Sequence, residues 1–201
     1  MLEGKKLFLL GDTRALKAVT EDFLSSAGGP SAKIAQLSFG GRWREYLPAY
    51  QNVLGVEVQV VVPDEYGVLD LPRAITILGQ STGIMIGGGP VRAYQHLFVQ
   101  SPLRQVLRNL YARGVPFMGV SAGAMLMPEH IAVYGDELEL NSSNVLEGLG
   151  LLENCLVMPH FTEDVLERRL VDILSELRLS TGWGLDETAG VLLENGVFVR
   201  A

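Results

Sequence analysis

Short apolar runs alternate with amphipathic segments through much of the chain, and few folds accommodate that alternation. The runs predicted to be strands are 7–10, 33–38, 56–62, 83–86 and 116–120. Apolar residues recur at helical spacing in 14–26, 42–54, 72–78 and from 91 to 111, with an interruption at Pro102. Because no hairpin signal joins these runs, the sequence predicts an α/β fold: a doubly wound, mostly parallel sheet flanked by helices.

Two further features complete the predicted architecture. The run at 56–62 is β-branched and almost wholly apolar, which predicts a strand covered on both faces. Beyond Met127 the alternation loosens, although 155–158 still reads as a strand and 163–177 as an amphipathic helix. Asn195-Gly196 predicts a hairpin turn into 197–199 at the sheet edge. No linker or internal repeat is visible, so we expect a single domain over 1–201.

Composition narrows the classes of function. With 48% hydrophobic and 19% charged residues among 201, the chain is typical of a well-buried globular protein. No apolar run approaches the roughly 18 residues that a membrane span needs, and the net charge of −7 gives nucleic-acid binding little support. A lone cysteine, Cys155, fits a reducing cytoplasm, and the scarcity of cysteine and histidine disfavours structural zinc. We therefore expect a cytoplasmic protein without metal, cofactor, nucleic-acid partner or membrane partner.

A serine between two glycines ends the last predicted strand of the alternating region. Gly119-x-Ser121-x-Gly123 suits a sharp strand-to-helix turn that presents the serine oxygen outward. A helix beginning at Ala122 would direct free backbone N–H groups at an oxyanion forming beside that oxygen. The same short pattern also suits an ordinary strand end whose serine caps a helix.

A nucleophilic serine needs a base and a carboxylate that orients it. His96 lies within a helical pattern, and His130 is expected near the end of the helix that follows Ser121. His160 follows a predicted strand at its carboxyl end, where open α/β sheets place their sites, which favours it without excluding the others.

Carboxylates and backbone donors are available at several places. A polar stretch offers Asp136, Glu137 and Glu139, and the pair Asp186-Glu187 lies near another strand end. Gly87-Gly88-Gly89 follows the strand at 83–86, and glycines there allow backbone N–H groups to approach a substrate closely. A tight turn needs fewer glycines than three, which favours a functional loop.

Four segments together resemble the dipeptidase E and cyanophycinase family of serine peptidases. They are Gly-Gly-Gly at 87–89, Gly-Val-Ser-Ala-Gly-Ala at 119–124, Pro-His-Phe at 159–161 and Gly-Leu-Asp-Glu-Thr-Ala at 184–189. The resemblance implies a sheet related to class I glutamine amidotransferases, with serine in place of their cysteine at the nucleophile elbow.

The resemblance also implies roles for individual residues. It gives Ser121 as nucleophile, His160 as base and Asp136 as the third member of the triad, with Glu137 and Glu139 left open. It places the oxyanion donors in the triple-glycine loop, at Gly88 or Gly89, and at the N–H of Ala122.

The sequence departs from the family in two places. Pro90-Val91 follows the triple glycine where the family usually has Asn-Thr. The arginines that hold an aspartyl side chain in the family have no clear counterpart, and Arg169 and Arg168 are the nearest candidates. Both also suit the exposed face of an amphipathic helix.

We therefore predict a cofactor-independent serine peptidase, an exopeptidase or dipeptidase, that hydrolyses short and aspartyl-containing peptides. Two alternatives stay open: a cyanophycinase-like hydrolase of β-linked aspartyl peptides, and a non-catalytic member of the fold that binds a ligand. An α/β-hydrolase esterase fits the short chain and triple glycine poorly. We also expect a homodimer, although the sequence does not determine the oligomeric state.

Overall fold

The computed structural model describes residues 4–39, 45, 47–134, 145–161 and 164–201. Its first strand–helix units match the predicted alternation. They comprise β1 (Lys6–Leu10), α1 (Leu16–Ser26), β2 (Lys33–Leu37), α2 (Leu47–Leu54), β3 (Glu57–Val61), α3 (Leu71–Gln80), β4 (Gly83–Ile86), α4 (Val91–Tyr94), α5 (Leu103–Ala112) and β5 (Phe117–Val120). A π-helical segment, Gln95–Val99, joins α4 to α5, so the helical pattern is interrupted where Pro102 predicts.

A single sheet organises these units. The strand order is β11-β10-β1-β5-β4-β2-β3, where β10 is Gly190–Glu194 and β11 is Val197–Arg200. Strands β1 to β5 pair in parallel, whereas β10 and β11 add to the β1 edge antiparallel. The predicted mostly parallel sheet with flanking helices and the hairpin at Asn195-Gly196 are both confirmed.

Side chains of the sheet alternate between two cores, one on each face. In β1, Leu7 and Leu9 belong to the larger core, while Phe8 and Leu10 belong to the smaller one. All four are fully buried. Helix α1 covers the Phe8 face, where the rings of Phe8 and Phe23 meet edge to face with centroids 5.6 Å apart. Two covered faces make β1 and its central neighbours apolar along their whole length.

Two details of the predicted architecture are wrong. Strand β3 is an edge strand, and most of its residues are only half buried, because it lies at one end of the sheet order. His130 does not end the elbow helix: that helix, α6, covers only Ala122–Met125, and His130 begins strand β6 (His130–Ala132). Much of the predicted helix before Leu47 lies outside the described residues.

The region after α6 forms two small sheets beside the large one. Strand β6 pairs with β7 (Val145–Glu147), and β8 (Cys155–Pro159) pairs in parallel with β9 (Thr181–Leu185). Helix α7 (Asp164–Leu177) packs Leu170 and Ile173 against Leu156 and Met158 of β8. The predicted strand at 155–158 is therefore present, but it belongs to a two-stranded sheet and not to the central one.

Candidate active site

Ser121 lies on a strained turn between β5 and α6. Its φ of 52° and ψ of −117° fall in a region that residues with a side chain rarely occupy. The Ser121 N–H donates to the Leu10 carbonyl at 2.9 Å, which ties the turn to the end of β1. The structure thus has the sharp strand-to-helix turn that the Gly-x-Ser-x-Gly pattern predicts.

The two flanking glycines are required by close backbone contacts. A Cβ on Gly119 would lie 2.6 Å from the Gly123 carbonyl carbon and oxygen. A Cβ on Gly123 would collide with the carbonyl oxygen of Ile86, on the neighbouring strand β4. Any larger residue at either position would therefore force the turn away from the sheet and displace the serine.

Loops from both neighbours of β5 flank the serine. Since β5 lies between β1 and β4 in a parallel sheet, the segments that follow all three strands meet at one edge. The segment after β1 brings Asp12 and Thr13, and the segment after β4 brings Gly88 and Gly89. A Cβ on Gly88 would lie 3.5 Å from the Ser121 Cβ, which shows how closely this loop approaches the serine.

Two tyrosines fix the triple-glycine loop. Gly88 N–H donates to the Tyr50 hydroxyl at 3.3 Å, and the Tyr94 hydroxyl donates to the Gly88 carbonyl at 2.9 Å. Burial raises the pKa of Tyr94, so its hydroxyl stays protonated as this bond requires. The N–H groups of Gly89 and Ala122 donate to no acceptor in the described part of the chain. Of the predicted donors, these two are free to receive a negative oxygen.

His160 follows β8 directly and also has a positive φ, 54°. The Tyr134 hydroxyl donates to the Pro159 carbonyl, and Phe161 N–H donates to the Leu185 carbonyl at 3.0 Å. The Phe161 ring lies where a side chain on Gly184 would have to be. These contacts on both sides of His160 hold its backbone at the cavity rim.

The serine and this histidine meet. Ser121 Oγ and His160 Nε2 are 2.9 Å apart, within hydrogen-bond distance, although they come from different sheets. Neither His96 nor His130 lies at the site: His96 is exposed and pairs with Gln100 one helical turn further on, and His130 pairs in register with Glu147. The preference for His160 over the other two histidines agrees with this geometry.

A glutamate faces the other nitrogen of the histidine. Glu187 Oε1 lies 3.9 Å from His160 Nδ1, and its Oε2 forms an ion pair with Arg14. Parallel pairing of Pro159 with Leu185 brings the ends of β8 and β9 together, which explains why His160 and Glu187 are neighbours. Sequence reasoning noted Glu187 in an acidic pair near a strand end and in the family-like segment 184–189, but assigned it no role.

The turn that carries Glu187 is built by its neighbour Asp186. The Asp186 carboxylate accepts from the N–H and hydroxyl of Thr188 at 2.7 and 2.9 Å, and these bonds lower its pKa. Gly11 N–H donates to the Ala189 carbonyl at 3.0 Å. A side chain on Gly11 would collide with the Asp186 carbonyl, so glycine is needed where this turn meets the segment after β1.

The remaining predicted residues lie elsewhere. Asp136, Glu137 and Glu139 are outside the described residues, so Asp136 as triad acid stays a prediction. Arg169 donates from Nη2 to the Val133 carbonyl at 3.1 Å, and Arg168 is exposed on α7. Neither arginine lines the cavity beside Ser121, and their role in substrate binding stays a prediction.

A cavity of about 380 Å³ opens beside Ser121 and His160. Its lining combines apolar side chains, among them Val91 and Met125, with the hydroxyl-bearing residues Thr13, Tyr50 and Tyr134. Asp12 is the one residue with a carboxylate among the described residues that line it, and no lysine or arginine does so. The cavity can therefore hold a small molecule against the serine.

The fold and the site together define an α/β protein with a serine nucleophile elbow, and comparison with known proteins gives the same result. The model of peptidase family S51 matches residues 7–200. The chain therefore belongs to peptidase family S51, and the resemblance to the dipeptidase E and cyanophycinase family is confirmed.

Individual relatives are distant. The cyanophycinase of Synechococcus elongatus is 25% identical over 187 residues, which cover 89% of this chain but 58% of that protein. The chain thus spans little more than half the length of this curated relative. No helix in the described part of the chain is long and apolar enough to cross a membrane.

Solved structures support the fold. A protein described as a peptidase E from Listeria monocytogenes EGD-e superposes with a TM-score of 0.72 at 17% identity, covering 98% of this chain and 97% of that one. A peptidase from an acI-B1 actinobacterium gives a TM-score of 0.70 at 20% identity, covering 96% of this chain and 84% of that one.

Proposed function

We propose that this chain is a serine peptidase that hydrolyses short peptides, with Ser121 as nucleophile and His160 as general base. One observation carries the proposal: Ser121 Oγ lies 2.9 Å from His160 Nε2 on a strained elbow turn. Membership of peptidase family S51 supports the class of reaction. A pocket of about 380 Å³ fits a short peptide better than a folded protein substrate.

In the first half of the proposed reaction, His160 Nε2 takes the Ser121 hydroxyl proton as Oγ attacks the scissile carbonyl carbon. The carbonyl oxygen becomes an oxyanion, which the N–H groups of Gly89 and Ala122 stabilise. The protonated His160 then delivers that proton to the nitrogen of the leaving amine, and the C–N bond breaks. An acyl ester on Ser121 remains.

In the second half, water replaces the departed amine. His160 takes a proton from the water molecule as the water oxygen attacks the ester carbonyl carbon. The same two N–H groups stabilise the second oxyanion. When this intermediate collapses, His160 returns the proton to Ser121 Oγ and the carboxylic acid product leaves. No cofactor is needed for either half.

Two carboxylates are candidates for the acid that orients His160. Asp136 is supported by the family resemblance, whereas Glu187 is supported by its position 3.9 Å from His160 Nδ1. That distance is longer than a hydrogen bond, so Glu187 would act here as a nearby negative charge unless it moves closer on substrate binding.

Labelling with a fluorophosphonate tests the nucleophile, because this reagent needs an activated serine. The wild-type protein should be labelled at Ser121 and should hydrolyse members of a dipeptide and tripeptide library. Ser121→Ala should abolish labelling and reduce turnover by about 10⁴- to 10⁶-fold. An unlabelled wild-type protein that turns over no peptide would instead favour the non-catalytic, ligand-binding alternative.

The second candidate is a cyanophycinase-like hydrolase of β-linked aspartyl peptides, with the same nucleophile and base. The sequence match to a cyanophycinase over 89% of this chain favours it. Paired substrates that differ only in an α- or β-aspartyl linkage separate the two candidates. A higher kcat/KM for the β-linked member would support the second.

A further inference from the structure

We infer that Asp12 forms a subsite for a positively charged nitrogen of the substrate, in the cavity beside Ser121. This inference rests on the proposed peptidase function, because it specifies which class of substrate that peptidase would bind. Asp12 follows β1 by two positions, and Leu10 at the end of β1 accepts the Ser121 N–H. This connection places Asp12 at the same cavity as the nucleophile.

The charges around the cavity favour a cation. Asp12 supplies a carboxylate to the lining, and within the described part of the chain no lysine or arginine lines it. An anionic substrate group would meet no lysine or arginine among these described lining residues. The net charge of −7 also attracts cationic and repels anionic ligands at long range.

One oxygen of the Asp12 carboxylate is available. Its Oδ1 accepts from the Arg14 N–H at 3.2 Å and from the Thr13 hydroxyl at 3.0 Å, and it lies 3.5 Å from Arg14 Nε. Within the described residues, no hydrogen bond or ion pair reaches Oδ2. Oδ2 can therefore accept a hydrogen bond from an ammonium or guanidinium group.

Arg14 does not cancel this charge. Its guanidinium is shared between Asp12 and Glu187, its side chain is 59% exposed, and exposed pairs of this kind are weak. Two carboxylates thus face one arginine, so these three described side chains together carry a net negative charge. The Asp12 side chain is only 25% exposed, so a ligand that reaches it is partly withdrawn from water.

The cationic nitrogen has two sources, the free α-ammonium of a peptide or a basic side chain. Both can be tested by binding to the Ser121→Ala protein, which needs no turnover. Calorimetry would compare lysyl-alanine with norleucyl-alanine, alanyl-lysine with alanyl-norleucine, and each neutral dipeptide with its N-acetylated form. Whichever member carries the recognised positive charge should bind roughly tenfold or more tightly than the partner that lacks it.

Asp12→Asn in the same background should lower the affinity of that peptide to the affinity of the partner that lacks the positive charge. Asparagine still caps the turn at Arg14, so the fold should persist, and Asp12→Ser provides a second variant that keeps a capping side chain. Asp70→Asn is the matched control, because Asp70 caps α3 through Arg73 N–H and does not line the cavity. This control should keep the preference.

If tight binding requires lysine, the recognised charge is the side chain; if it requires a free amino terminus, the recognised charge is the α-ammonium group. Either result supports the subsite. Equal affinities within every pair, or a preference that survives in both Asp12 variants, would refute it. Failure of the wild type to hydrolyse any peptide would refute the peptidase proposal separately, because the binding data do not depend on turnover.

Discussion

Replacing Glu187 with glutamine tests whether the charge beside His160 assists catalysis. During the proposed reaction His160 becomes positively charged, 3.9 Å from Glu187 Oε1. At that distance a unit charge pair is worth about 1 kcal/mol in water and about 4 kcal/mol at the effective dielectric of a protein surface. His160 and Glu187 are 42% and 35% exposed, which places the value near the lower end.

We therefore expect Glu187→Gln to lower kcat by roughly 5- to 50-fold, with little change in KM. The assay is steady-state hydrolysis of a peptide that the wild type turns over. Glu21→Gln, a charge-matched change on the exposed face of α1, should leave kcat unchanged. Asp136→Asn should cost about 10⁴-fold if Asp136 is the hydrogen-bonded triad acid, whereas Glu137→Gln and Glu139→Gln should cost much less.

The ranking of these variants decides between the acids. A Glu187→Gln protein with wild-type kcat would refute the electrostatic reasoning, since the charge would then be irrelevant to the transition state. A loss near 10⁴-fold in Glu187→Gln, with little effect in Asp136→Asn, would make Glu187 the triad acid and would contradict the sequence-based assignment.

Three other predictions follow from the structure. Gly123→Ala should lower Tm by roughly 2–12 °C, because the added Cβ collides with the Ile86 carbonyl. Gly79→Ala in α3 is the control: a Cβ there meets no other atom, so this variant should raise Tm slightly. Equal thermal shifts in the two variants would contradict the packing argument. EDTA should leave peptide hydrolysis unchanged, and activity lost in EDTA and restored by zinc would contradict the serine mechanism. Arg169→Met should lower Tm, because Arg169 donates to the Val133 carbonyl, and the exposed Arg168→Met is its control. A loss of turnover confined to an Asp-containing peptide would support the predicted role of Arg169 in substrate binding, whereas an equal loss for acidic and neutral peptides would make Arg169 structural.

The elements that sequence reasoning predicted well have local signals. Strands β1, β4 and β5 are covered on both faces, so they read as continuous apolar runs. The elbow was predictable because Gly119 and Gly123 are required by contacts within one turn and its neighbouring strand. A pattern in consecutive residues is enough to recover features of this kind.

Features that depend on sheet order and register were not predictable in this way. Strand β3 has the β-branched composition of a buried strand, yet it lies at the sheet edge, because burial follows from which strands come to lie beside it. Glu187 lies beside His160 only because Pro159 pairs with Leu185, a register set by strands far apart in sequence. Asp12 resembles an ordinary turn cap until the neighbours of β5 are known.

The proposed chemistry depends on a contact between two separate sheets. Ser121 follows a strand of the central sheet, whereas His160 and Glu187 follow the two strands of a small one. Gly11 joins these parts: its N–H donates to Ala189, and its lack of a side chain admits the Asp186 carbonyl. Since Arg14, three positions further on, also pairs with Glu187, the segment after β1 links the proposed nucleophile to the negative charge beside its proposed base. The same segment carries Asp12, so the proposed catalytic alignment and the proposed recognition of a cation share one short piece of chain.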